Sequence, residues 1–157
     1  MAYISFQHKD TIQSSLRRGI MASGSGGEFV HCEIVLSQFG NLICSSWHPK
    51  GVEIRQYEPK LYPHLWENFD LGSVDNELYQ YFLEKKGTLY TLPGLLVNMI
   101  FNANVQSSRS FCSQICYEAL RHTNRYNLPD VVSSSISPQD LKAILETHNF
   151  NPITSWQ

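Results

Sequence analysis

The chain has 157 residues, 42% hydrophobic and 17% charged, with a formal net charge of -2. That length suits one domain, 1–157, with a sizeable core, and the composition excludes wholesale disorder. A slightly acidic chain lacks the basic footprint of a nucleic-acid binder, and no apolar run nears the roughly 20 residues that span a bilayer.

Ala2 to Gln7 is short and rich in aromatic and aliphatic residues, which predicts a strand. Asp10-Thr11 is a helix start, followed by Ile12, Leu16 and Ile20 at helical spacing. Ala22 to Gly27 is a glycine-rich loop. Phe29–Ser37 and Leu42–Trp47 flank the turn Gln38-Phe39-Gly40-Asn41, so the two strands form an antiparallel hairpin. His48 to Gly51 breaks the chain, and Gly51–Tyr57 is a third strand. Glu58–Leu71, carrying Pro59 and Pro63, is an irregular connection or one more strand. Ser73 is the expected N-cap of a helix from about Val74 to Lys86, ended by Gly87. A helix over Leu92–Phe101 and a polar loop over Asn102–Ser110 follow. Cys112–His122 is a helix whose inward face includes Ile115, Cys116, Ala119 and Leu120. Ser137-Pro138-Gln139-Asp140 opens a last helix through about Thr147, and Asn149–Gln157 is a short strand or loose. This order is an α+β pattern, an antiparallel sheet with segregated helices.

Cysteine catalysis needs a thiolate, a nearby base and a group that orients the base. Helix N-termini favour thiolates, and of Cys32, Cys44, Cys112 and Cys116 only Cys112 stands at an expected helix start. Cys116 lies one turn on and faces the core. His31 is the best candidate base, at a strand start just beyond the glycine-rich loop. Glu33 shares its face, whereas Cys32 points the other way. His8, His48, His64, His122 and His148 are expected at the surface. Cys112-x-x-x-Cys116 lacks a matching Cys/His pair, so no metal is expected. The glycine loop is not a phosphate loop, since it lacks Gly-Lys-Ser/Thr and precedes a strand. Met1–His8 has no basic stretch leading into a long apolar run. The reducing cytoplasm is therefore the expected compartment, and the cysteines are expected as free thiols.

Several segments together resemble a known family. They are Ser14-Ser15-Leu16-Arg17-Arg18-Gly19-Ile20, Phe29-Val30-His31-Cys32-Glu33-Ile34-Val35, Ser45-Ser46, Gly51-Val52-Glu53-Ile54 and Gly87-Thr88-Leu89-Tyr90. Phe111-Cys112-Ser113-Gln114-Ile115-Cys116 and Ile136-Ser137-Pro138-Gln139-Asp140-Leu141 complete the set. In order and spacing the chain resembles the circularly permuted NlpC-type, papain-like cysteine hydrolases, the YiiX/YaeF-like proteins with their poxviral and phage relatives. The resemblance spans about residues 2 to 145.

The resemblance implies a papain-like fold, permuted so that the histidine strand precedes the cysteine helix, with Cys112 as nucleophile and His31 as general base. The family's orienting group lies on the strand after the histidine strand, often as Glu. Here that strand offers Ser45 or Ser46, and Glu33 is an alternative. Tyr90, Ser46, Phe111 and Ser113 are the expected substrate-binding residues. The implied activity is cleavage of an amide bond in a peptide, protein or acylated substrate through an acyl-enzyme, with the Cys112 N–H holding the oxyanion. No cofactor and a monomer are expected, in the cytoplasm, including that of a virus- or phage-infected host. Two other readings stand beside it: a lipid acyl hydrolase or transferase, whose Asn-Cys-Glu-His motif is absent, and a catalytically inactive peptide- or acyl-binding module.

Overall fold

The computed structural model describes residues 1–12, 27–47, 50–58, 60, 62–88 and 111–153, the side chain of Phe111 excepted. Within them lie five strands, β1 (Ala2–His8), β2 (Phe29–Leu36), β3 (Leu42–Trp47), β4 (Gly51–Gln56) and β5 (Trp66–Gly72), and three α-helices, α1 (Asp75–Lys85), α2 (Phe111–His122) and α3 (Pro138–Thr147). The strands form one sheet in the order β4-β3-β2-β1-β5, with every pairing antiparallel. The expected α+β class is present. β5 resolves the Glu58–Leu71 stretch in favour of a further strand, at the free side of β1.

Alternation along the strands divides the sheet into two unlike faces. Ala2, Ile4 and Phe6 of β1, Cys32, Ile34 and Leu36 of β2, and Phe69 and Leu71 of β5 join one core with the helices. The helices contribute Leu78 and Phe82 from α1, Leu141 and Leu145 from α3, and Ile115, Cys116, Ala119 and Leu120 from α2. Those four α2 residues are the inward face read from the 3.6-residue period. The opposite face carries a smaller cluster of Tyr3, Val35 and Ile43, flanked by Trp47, Tyr57 and Ile153.

Local chemistry explains the element ends. After β2 a 3-10 turn, Ser37–Phe39, leads into Gly40 (φ 71) and Asn41 (φ 59), the left-handed pair that lets β3 turn back. The cap of α1 differs from expectation. Val74, one residue past Ser73, occupies the cap, and its apolar side chain has no acceptor for the helix N–H groups. Ser137 and Asp140 form a reciprocal capping box on α3, with Pro138 in the first turn. Lys142 pins α3 to the sheet, with its ammonium 3.1 Å from Glu67, 2.6 Å from Glu146, and 5.1 and 5.8 Å from the ring centroids of Phe29 and Phe69. After Asp10, the helix start appears as a 3-10 turn, Lys9–Thr11. The helical pattern beyond Ile12, the glycine-rich loop up to Gly26 and the Leu92–Phe101 and Asn102–Ser110 stretches lie outside the described residues. In the described part of the tail Phe69 and Pro152 form an isolated bridge, and residues 154–157 lie outside the described residues. Among the described residues no helix is long and apolar enough to cross a membrane.

Ser137→Ala removes the hydroxyl that accepts from the Asp140 N–H. It is expected to cost about 1 kcal/mol of stability, read from the denaturant midpoint at unchanged slope.

Candidate active site

The start of β2 is irregular just ahead of His31. β1 and β2 pair Gln7 with His31 but His8 with Phe29, so β2 carries one extra residue, a bulge at Val30. As a result Phe29 and Cys32, three positions apart, both belong to the helix-side core. The strand is tied down just before the bulge. The Glu28 N–H donates to Gln139 Oε1 at 3.1 Å, and a Cβ on Gly27 would lie 2.7 Å from the Gln139 side chain. A bulge re-aims the side chain beside it. His31, directly after the bulge, lies 3.9 Å from Glu33, and its imidazole acts on Cys112 of α2.

Cys112 stands in the first turn of α2 and is 8% exposed. The neighbouring Cys32 thiol is the largest influence drawing the Cys112 thiol well below its ordinary range. Burial opposes ionisation. The charge of His31, a hydrogen bond with its imidazole and the Cys32 backbone N–H outweigh that penalty. His31 shows the reciprocal effect. Burial pushes the imidazole down, but the Cys112 charge, the hydrogen bond with Cys112 and the charge of Glu33 raise it above its usual value. Both shifts favour the thiolate–imidazolium form over the neutral pair. Acid protonates the sulfur, and alkali removes the imidazole proton.

The other cysteines have different surroundings. Cys32 is raised well above its ordinary range by burial and by its hydrogen bonds with Cys112 and Cys116. Cys44 is also raised, chiefly by burial. The Cys116 sulfur lies 4.0 Å from the Cys32 carbonyl, in the core. All four are free thiols.

On the open face of the sheet, His31 Nε2 is 3.9 Å from Glu33 Oε2. This is a charge contact beyond hydrogen-bond length, and Nε2 has no hydrogen-bond partner. Catalytic hydrogen bonds are often long before substrate binds. The other Glu33 oxygen pairs with the Lys60 ammonium. Trp47 leans over the imidazole at 5.8 Å between ring centroids and is itself covered by the Arg55 guanidinium at 4.0 Å. These groups border a cavity of about 360 Å³, walled also by Tyr62 and Trp66.

The expected site residues divide into three groups. Cys112, His31 and Glu33 come together. Ser45 and Ser113 do not join them. Ser45 is fully buried and donates to the Cys32 carbonyl at 2.7 Å, so its hydroxyl holds the backbone of β2 and leaves His31 Nε2 unpartnered. Ser113 is also fully buried and donates to the Ile136 carbonyl at 2.5 Å, tying α2 to the entry of α3 instead of lining a cleft. Ser46 is buried on β3, opposite Val52. Tyr90 and the Phe111 side chain lie outside the described residues, as does His48. Of the histidines expected at the surface, His64, His122 and His148 are exposed. His8 is half-buried, edge-on against Phe29. Lys60, the bulge and the Cys32 donor escaped sequence reasoning. The parity break between Phe29 and Cys32, two apolar residues at odd spacing, was the available signal for the bulge. Among the described residues no group of three or more His, Cys, Asp or Glu side chains is arranged to hold a metal ion.

No protein-family model, curated protein or solved structure matches the chain.

Cys32→Ala deletes the S–H donor and leaves the backbone N–H in place. It is expected to move the pH onset of Cys112 alkylation by iodoacetamide upward, with the sites resolved by peptide mass spectrometry. An unmoved onset would show that the Cys32 thiol does not stabilise the thiolate.

Proposed function

We propose that the chain is a cysteine-dependent hydrolase that cleaves an amide bond, peptide or isopeptide, on a circularly permuted papain-like scaffold. The observation that carries this reading is the contact of Cys112, in the first turn of α2, with His31, backed by Glu33 at 3.9 Å. A structural cysteine in a core has no need of a charged partner. A buried, lowered thiol against a raised imidazole is the arrangement that thiol catalysis requires.

The steps follow from the atoms present. The Cys112 thiolate attacks the substrate carbonyl carbon, forming a C–S bond as the carbonyl π pair moves to oxygen. The oxyanion lies toward the N-terminus of α2, where backbone N–H groups lack partners within the helix. The C–N bond then breaks, and the His31 imidazolium gives its proton to the departing amine nitrogen. This leaves a thioester on Cys112 and a neutral imidazole. His31 next takes a proton from water as the water oxygen attacks the thioester carbonyl. The C–S bond breaks, the carboxylic acid departs, and the thiolate–imidazolium pair is restored. Glu33 holds the imidazole orientation and offsets its positive charge through both halves.

A library of peptide amides and activated acyl esters tests the reading. Intact-mass analysis is expected to show an acyl adduct on the wild type that is absent from Cys112→Ala. Turnover of an accepted substrate is expected to fall by about 10²–10⁴-fold in His31→Ala, the span that general acid–base catalysis covers. Tight binding of a library member without any adduct or turnover would instead establish the inactive binding module.

A further inference from the structure

We infer that Lys60 is a positioning residue of this site: it completes an alternating chain of Cys112 thiolate, His31 imidazolium, Glu33 carboxylate and Lys60 ammonium that leaves the buried cluster electrically neutral. The inference rests on the hydrolase reading above and extends it to a residue outside the strand and helix that carry the catalytic groups.

The argument begins with charge. A thiolate–imidazolium pair is neutral as a unit, and adding a carboxylate gives it a net negative charge. Glu33 is 4% exposed at its side chain, so that extra charge would sit away from water, where an uncompensated ion is costly. Lys60 supplies the missing positive charge. Its side chain is only 11% exposed, it pairs with Glu33 Oε1, and it lies 3.9 Å over the Trp66 ring and 5.7 Å from that of Tyr57. The two rings and the carboxylate fix the ammonium, which has three donors and no acceptor.

The second argument is the division of the carboxylate. One Glu33 oxygen faces Lys60 and the other faces His31 at 3.9 Å. A carboxylate that faced His31 alone would close to a full hydrogen bond and hold the imidazolium proton more tightly. A general acid must release that proton to the leaving group, so an over-stabilised imidazolium is a poorer acid. Lys60 acts against that excess, and its charge lowers the proton affinity of His31.

The other described groups facing Glu33 do not provide this balance. Tyr3 from β1 and Cys44 from β3 are both raised, chiefly by burial, and Tyr57 is raised as well. All three are neutral near pH 7. Arg55 and Glu58 border the same cavity, and Arg55 is engaged with Glu53.

The test follows His31 by NMR of the full chain carrying ¹³Cε1-labelled histidine, titrated in wild type, Lys60→Met, Lys60→Arg and Glu33→Gln. Cys112 alkylation by iodoacetamide is measured on the same samples. Lys60→Met is expected to raise the His31 midpoint by about one pH unit, a tenfold gain in proton affinity. Lys60→Arg is expected to restore the wild-type midpoint, which a purely structural role for the lysine stem would not produce. Glu33→Gln is expected to move the midpoint down. Where Lys60→Met does not fold, Lys60→Gln carries the same expectation. A His31 midpoint unmoved or lowered in the charge-free variant, with wild-type Cys112 still alkylated fast at neutral pH, overturns the role of Lys60 alone. Wild-type Cys112 alkylated no faster than Cys44 overturns the hydrolase reading and the charge chain with it.

Discussion

A thiol shielded from water yet drawn toward ionisation is the constraint around which this site is arranged. Cys112 is 8% exposed, so solvent alone cannot stabilise its charge. Compensation comes from the Cys32 S–H, the Cys32 N–H and the His31 imidazole, all delivered by one strand. The first turn of α2 adds its oriented peptide dipoles. Each donor depends on β2 lying against the start of α2. The apolar contacts of Ile115, Cys116, Ala119 and Leu120 with the sheet secure that approach.

Alternation sends Cys32 toward the helices and His31 and Glu33 away from them, so a thiol on α2 would meet Cys32 but not His31. The bulge at Val30 interrupts that alternation directly before His31, where β2 enters the sheet. The two faces consequently divide the work. The helix side carries the core and the sulfur. The open side carries Glu33, Lys60 and the aromatic cavity, where charged groups can be held by one another without displacing core packing.

Much of this was legible from the order of residues. The Phe29–Trp47 hairpin follows from β-rich runs around a Gly-Asn turn, and the inward face of α2 from its helical period. Ser137-Pro138-Gln139-Asp140 marked a helix start, and the capping box is there. Cys112 stood out because a thiol at a helix N-terminus has a physical reason to ionise. The third group stayed open in the sequence, since Ser45 and Ser46 on the next strand and Glu33 on the His31 strand itself were all candidates. Their separation depends on hydrogen bonds that sequence does not encode, above all the Ser45 hydroxyl bound to the Cys32 carbonyl. Lys60 was invisible for a related reason. It sits in a proline-bearing connection between strands, and its burial comes from Trp66, Tyr57 and Glu33, which converge only in the folded chain.

The ionisation of Cys112 is the point on which everything else turns. Its most direct measure is the ultraviolet absorbance of the thiolate, titrated against pH in the wild type and in Cys112→Ser and read as the difference between them. A midpoint well below the value of about 8.5 for an ordinary thiol is the expected result, since the donors of β2 outweigh burial. A midpoint at or above about 8.5 would contradict it, and Cys112 would then be one more buried thiol in the core of the sheet.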